Sequence, residues 1–197
     1  MALLHGLLWP IQFWNDTVLR AGRAIAIVAI AAMVVAILIQ VFFRYFLGNA
    51  LSWPDEFARF CMLWMTGLMA PLAYRRGGFV AIDLALEMMP KRVAAFVSLF
   101  LLLVSGLVLG MAALIGWAEV TGFGGQFTTD SLYLPMSLTF DEWFRVPRSW
   151  TMASIFVGMV LLFIVNLELI LRSLITLLGG EADLKPIAPG EEEIMAE

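Results

Sequence analysis

Residues 24–43 read AIAIVAIAAMVVAILIQVFF, and Gln40 is the only polar side chain among them. An α-helix of this length rises about 30 Å, which matches the hydrocarbon thickness of a bilayer. The composition agrees, because 62% of the 197 residues are hydrophobic and 14% are charged. These values exclude a soluble domain and predict an all-α integral membrane protein.

Three further apolar runs predict membrane helices at about residues 54–74, 93–117 and 149–171. With the first run they predict a single four-helix membrane domain over residues 21–178. Residues 79–89 are too few to span a bilayer, but their apolar side chains recur at helical spacing. They predict an amphipathic helix that lies in the membrane interface between the second and third spans.

Both ends of the chain are predicted to lie outside the spans. The apolar side chains of residues 1–20 fall on one helical face, and the segment lacks the pattern of a signal peptide. We expect a retained interfacial helix there, bent or divided at Pro10, with a disordered lead as the alternative. Residues 179–197 are acidic and contain proline, which predicts a disordered tail.

The second run begins with the sequence WPDEFAR at residues 53–59, here called the WPDEFAR segment. Pro54 suits a first helical turn, and Asp55 and Glu56 stand where the positive end of the helix dipole favours anions. Arg59 is within helical reach of both carboxylates. The segment is therefore a self-contained cap, a cap that also contacts a partner subunit, or part of an ion pathway. A pathway is disfavoured because the run has no acidic or basic residue deeper inside it.

Two other spacings predict packing between helices. Gly106 and Gly110 form a GxxxG pair, which lets helix backbones approach closely but is also common by chance in apolar sequence. Glu168 stands four residues before Arg172, the favourable orientation for an ion pair on a helix surface. We expect this pair to be structural, and we expect loss of Glu168 to weaken partner association less than loss of Glu56 or Arg59.

The distribution of basic residues predicts the orientation in the membrane. With four spans, two groups of basic residues fall on opposite sides: Arg20, Arg23, Arg75, Arg76, Lys91, Arg92, Arg172 and Lys185 on one, and Arg44, Arg145 and Arg148 on the other. The richer side is expected to be cytoplasmic, which places both termini there. The WPDEFAR segment and the mixed aromatic and charged connection at residues 120–146 would then face outward, the latter as an interfacial loop or short helix.

The residues offer little chemistry. The only histidine, His5, lies outside the spans, and the only cysteine is Cys61, so a histidine metal cluster and an internal disulfide are excluded. No phosphate-binding glycine loop and no nucleophile with a positioned base is present, and no basic stripe suggests nucleic acid. We expect a non-enzymatic membrane scaffold without a cofactor. A self-assembling channel or small autonomous transporter is the alternative.

Several motifs resemble one family over almost the whole chain, from about residue 20 to 178. They are FRYF at residues 43–46, the WPDEFAR segment, and RRGGFVAID at residues 75–83. In their order and spacing they resemble the small membrane subunit (DctQ-type) of TRAP transporters, the tripartite ATP-independent periplasmic systems. Phe79 stands where that family often has histidine, and the segment at residues 141–145 looks longer and more polar than usual.

The resemblance implies a multi-pass protein of the bacterial or archaeal inner membrane with two protein partners. One is a large polytopic permease subunit that uses a sodium gradient, and the other is a periplasmic protein that captures a carboxylate, such as a C4-dicarboxylate or sialic acid. The small subunit would brace the large one and help to dock the loaded binding protein, and sodium would bind to the large subunit.

Candidate contact residues follow from position within this arrangement. Trp53, Asp55, Glu56 and Arg59 are the candidates for the subunit contact at the outer face. Four basic residues are the candidates for contact with lipid headgroups at the inner interface, namely Arg75, Arg76, Lys91 and Arg92.

Overall fold

The computed structural model describes residues 2–49, 51–77, 90–135 and 143–178. The elements in chain order are α1 (Ala2–Phe46), α2 (Trp53–Arg75), α3 (Lys91–Thr121), a short 3-10 helix (Phe123–Gln126), β1 (Thr128–Pro135), β2 (Trp143–Pro147) and α4 (Arg148–Leu177). The predicted interfacial helix at residues 79–89 and the predicted disordered tail lie outside the described residues.

Helix α1 is longer than the predicted first span. It runs without interruption for 45 residues, about 68 Å, and Pro10 lies inside it without ending it. The helix also continues through the boundary that we expected near residue 20. The N-terminal half buries Leu8, Asn15 and Leu19 against the rest of the molecule, so it packs as part of the helical domain.

Three helical segments within the described residues are long and apolar enough to cross a membrane: Leu8–Phe46, Val93–Thr121 and Arg148–Leu177. These three candidate spans coincide with the first, third and fourth of the four predicted spans. Helix α2 is 23 residues long, but Asp55, Glu56 and Arg59 at one end and Arg75 at the other leave it a shorter apolar stretch.

The four helices pack in the spatial order α1, α2, α4, α3, with an additional contact between α1 and α4. Helix α1 is antiparallel to α2, because Gly22 lies against Leu68 while Gln40 bonds Asp55. Helices α2 and α4 run parallel, since Gly67 meets Ser154 and Arg75 meets Glu168. The outer helices α1 and α3 leave broad apolar faces exposed, as expected of a chain whose solvent is lipid.

The connection between α3 and α4 contains a β-hairpin where we expected a loop or short helix. Strand β1 pairs antiparallel with β2, from Thr128 opposite Pro147 to Pro135 opposite Trp143, with an irregular register between Thr128 and Tyr133. Because β2 leads directly into α4, the hairpin lies at the same end of the bundle as the α1–α2 connection. We call this the hairpin end.

Candidate functional site

The most heavily bonded carboxylate among the described residues belongs to Glu168, which lies in α4 at the end of the bundle opposite the hairpin. Its side chain has no exposed surface. Arg75 donates to both of its oxygens, from Nε at 2.8 Å and from Nη2 at 2.9 Å. Asn15 Nδ2 donates at 2.7 Å and Arg172 Nε at 3.1 Å. Helices α1, α2 and α4 therefore meet at this carboxylate.

Arg75 extends the same cluster to a second carboxylate. Its Nη1 forms an ion pair with Asp16 of α1, one residue along from Asn15. We call Asn15, Asp16, Arg75, Glu168 and Arg172 the Glu168 cluster. In their ordinary ionised forms its two carboxylates and two guanidinium groups balance in charge. Such balance, with hydrogen bonds on both carboxylates, is what makes buried ions tolerable in a low-dielectric interior.

A second polar group joins helix α3 to the same end. Asn166, fully buried two residues before Glu168, accepts a hydrogen bond from Tyr74 at 2.6 Å and donates to the carbonyl of Leu102 at 3.0 Å. The Tyr74 hydroxyl also lies 3.3 Å from that of Ser105. All four helices are thus connected by side-chain hydrogen bonds near one end of the bundle.

Glycine contacts hold the helices together further along. A Cβ atom on Gly67 would lie 2.4 Å from the carbonyl oxygen of Ser154, and one on Gly158 would lie 2.9 Å from the Cα of Gly67. Helices α2 and α4 therefore touch backbone to backbone. Gly106 and Gly110 lie on the face of α3 that packs on α4, where a Cβ on Gly106 would come within 2.7 Å of Asn166 Nδ2.

The WPDEFAR segment begins α2 at the hairpin end. Pro54 is buried in the first turn, and Trp53, Asp55 and Arg59 are exposed. The carboxylate of Asp55 accepts a hydrogen bond from Gln40 of α1 at 2.7 Å. Within the described part of the chain, Arg59 forms no ion pair with either neighbouring carboxylate, so the segment is tied to α1 rather than capped by its own arginine.

The expectation that Arg75 contacts lipid headgroups is wrong. Its side chain is 7% exposed, because the two carboxylates of the Glu168 cluster draw it into the bundle. Arg76, the next residue, is exposed at the end of α2, which leaves its lipid contact as a prediction. The side chains of Lys91 and Arg92 lie outside what the structure describes.

The expected pair of Glu168 with Arg172 is present, but it is the smaller part of the arrangement. Sequence reasoning missed Asn15, Asp16, Tyr74 and Asn166. One signal was available: a carboxylate one or two turns inside a membrane helix needs several partners, and the predicted topology already placed residues 16, 75 and 172 at the same end.

No metal centre is formed in the described ranges, where no group of three histidine, cysteine, aspartate or glutamate side chains is suitably placed. The Glu168 cluster is closed by its own arginines and connects helices. Its geometry is that of a structural contact that holds the helices in one arrangement.

Comparison with known proteins agrees with a membrane component. Residues 33–176 match the model of the family described as "Tripartite ATP-independent periplasmic transporters, DctQ component". The match extends over most of the chain, from the last third of α1 to the end of α4. The chain belongs to the DctQ family. No curated protein and no solved structure matched the chain.

Membership of the DctQ family confirms the resemblance seen in the sequence. It makes this chain the small permease component of a tripartite transporter, a multi-pass membrane protein whose partners are a large permease subunit and a periplasmic binding protein. DctQ is a family of transporter components, not of enzymes. The match begins at residue 33, so it does not include Asn15 and Asp16 of the Glu168 cluster.

Proposed function

We propose that this DctQ-family chain is the static membrane scaffold of its transporter. In this role it braces the large, sodium-coupled permease subunit and helps to dock the substrate-loaded binding protein, for uptake of a carboxylate such as a C4-dicarboxylate or sialic acid. Sodium and substrate bind to the partners and not to this chain. A brace must resist bending while its partner moves.

The observation that carries the proposal is that hydrogen bonds and close backbone contacts connect all four helices. Buried hydrogen bonds at Glu168 and Asn166 join the helices near one end, and the contact of Gly67 with Ser154 and Gly158 joins two of them further along. Buried polar groups that are hydrogen-bonded between helices make alternative helix arrangements costly, because sliding one helix would break these bonds and leave charges unpaired. A chain built in this way suits a support better than a moving part.

The same proposal includes four membrane crossings with both termini in the cytoplasm. Helix α2 is about 35 Å long, which is enough to cross a bilayer, and it connects opposite ends of the bundle. The count of basic residues supports an orientation with the Glu168 cluster on the cytoplasmic side and the hairpin end outside. The WPDEFAR segment then faces the periplasmic side, where the large subunit and the binding protein are available.

Co-purification tests the scaffold role. When the chain carries an affinity tag and is extracted in mild detergent from its native membrane, we expect a much larger polytopic protein to elute with it. Deletion of the gene is expected to abolish uptake of the carboxylate substrate. A chain that elutes alone, with uptake of every carboxylate unchanged in the deletion strain, would contradict the proposal.

Substitution of Glu56 or Arg59 by alanine tests the subunit contact at the WPDEFAR segment. We expect either change to reduce recovery of the large subunit by about tenfold, as for loss of an interface charge that contributes about 1.4 kcal/mol. The matched control is Glu119→Ala, an exposed carboxylate near the hairpin end of α3. Equal recovery of the large subunit with all three variants would show that the WPDEFAR segment begins α2 but does not contact the large subunit.

A further inference from the structure

The hairpin between α3 and α4 has two unlike faces. Leu132 and Val146 are buried against the helix ends, and the hydroxyl of Thr129 donates to the carbonyl of Val146 at 2.7 Å. Strand β1 packs on α2, and the preceding 3-10 helix packs on α3 and α4. One face of the hairpin is therefore fixed to the bundle. This contact also fixes the position of the exposed face relative to the helix ends.

The α3–α4 connection also carries exposed aromatic side chains, here called the aromatic face. Phe123 is 77% exposed and Phe127 is 54% exposed, and their rings meet edge to face with centroids 5.2 Å apart. Tyr133 is also exposed, and the guanidinium of Arg145, its partner across the strands, lies 5.1 Å from its ring centre. Exposed aromatic side chains grouped in one connection mark contact with something other than water.

This face continues the lateral surface of the spanning helices. On α3 the exposed side chains Leu114 and Trp117 lead up to Phe123. The side of α3 turned away from α4 is apolar and exposed, so it faces lipid or another membrane helix. The aromatic face is continuous with a surface that is already inside the membrane.

The strands limit how deep that face can lie. Among the described residues, the two-stranded sheet leaves one backbone edge of each strand without a strand partner. Unpaired backbone groups do not occur in contact with the hydrocarbon core, because no water is available there to satisfy them. The headgroup layer supplies both water for these groups and apolar contact for the rings, and it is where aromatic side chains concentrate in membrane proteins.

We propose that the aromatic face, formed by Phe123, Phe127 and Tyr133, lies in the phospholipid headgroup layer at the hairpin end and anchors the α3–α4 connection there. The exposed Arg145 and Arg148 are then placed to contact lipid phosphates. Such an anchor fixes how far the bundle rises out of the membrane. The inference needs the membrane location only and does not depend on the transported substrate or on the scaffold role.

Depth-dependent fluorescence quenching tests the anchor. The full chain is labelled with bimane at Phe123→Cys, or at Phe127→Cys with Phe123 retained, in a Cys61→Ala background, and is reconstituted in phosphatidylcholine–phosphatidylglycerol vesicles. We expect a nitroxide near the headgroup to quench both labels about twofold more than a nitroxide deep in the acyl chain. The reference is Leu114→Cys, deeper on the same exposed face of α3, where the order should reverse.

Three other outcomes would overturn the anchor. Strong quenching by aqueous iodide with little by either nitroxide would place the face in water, free for the binding protein. Preferential quenching by the deep nitroxide would place it in hydrocarbon. Protection from all quenchers in vesicles that also contain the large subunit would mean that protein covers the face. Since both label sites are exposed in the folded chain, neither substitution requires the core to rearrange.

Discussion

Arg75→Ala is expected to destabilise the folded chain by about 3–5 kcal/mol, because it removes the partner that holds both oxygens of a fully buried carboxylate. The change also leaves Asp16 without this ion pair. For a chain of this size, such a loss lowers the midpoint of thermal unfolding by about 10 °C or more. The midpoint can be measured in detergent as the temperature at which half of the protein leaves the monodisperse peak.

Arg76→Ala is the matched control for this prediction. It removes the same side chain one residue later, where the arginine is exposed at the end of α2, and the midpoint should change little. Arg75→Lys should be intermediate, because lysine keeps the charge but cannot donate two parallel hydrogen bonds to one carboxylate. If the Arg75 and Arg76 variants unfold at the same temperature, the Glu168 cluster does not stabilise the bundle.

The structure also changes the expectation for Glu168. The sequence indicated a surface pair with Arg172, so its loss was expected to matter less than loss of Glu56 or Arg59. Because Glu168 has no exposed surface and accepts bonds from three side chains, Glu168→Ala leaves two arginines without their shared partner. It would disturb association through the fold, which is why Glu119→Ala is the better control for the WPDEFAR segment.

The helices were predictable because lipid imposes a simple rule on sequence. A long apolar run of about bilayer length must be a helix, since its backbone groups have no other partner there. The predicted spans at residues 93–117 and 149–171 lie inside α3 and α4, which extend past them by a turn or more at the carboxyl-terminal end. The ends were missed because polar residues such as Glu119 and Thr121 continue a helix once it has left the hydrocarbon.

The structure of the connections between helices could not be predicted from local sequence patterns. The two arginines at residues 75–76 have the pattern of a solvated turn. Arg75 points into the bundle only because α1 packs on α2 with Asp16 beside it, whereas Arg76 is exposed. The hairpin was missed for a related reason: Thr129 and Leu132 both face inward only because the register is irregular between Thr128 and Tyr133, which destroys the alternation that predicts a strand.

The second glycine contact was missed because GxxxG draws attention to Gly106 and Gly110. Gly67 and Gly158 lie on different helices, with no repeat to mark them, yet they allow the closest approach of two helix backbones among the described glycines. Spacing within one helix shows which glycines share a face. Which face meets a neighbour depends on how the helices are arranged.

Gly67→Ala is therefore expected to destabilise the bundle by about 1–3 kcal/mol, although alanine is the better helix former. The new methyl group would lie 2.4 Å from the carbonyl oxygen of Ser154, which belongs to the backbone and cannot rotate away. Helices α2 and α4 must then move apart. This movement strains the ion pair of Arg75 with Glu168, which joins the same two helices. Lower recovery of the large subunit should accompany the lower unfolding midpoint.

Gly6→Ala provides a control of opposite sign. Gly6 also lies in a helix, but no atom lies within 4 Å of the position of its Cβ, so the same substitution should be neutral or stabilise by up to about 1 kcal/mol. Gly158→Ala changes the same contact from the side of α4, because its new methyl group would lie 2.9 Å from the Cα of Gly67. Once α2 and α4 have separated, a second methyl group adds less strain, so the double variant should lose less stability than the sum of the two single variants. Fully additive losses would show that the two glycines do not share one contact.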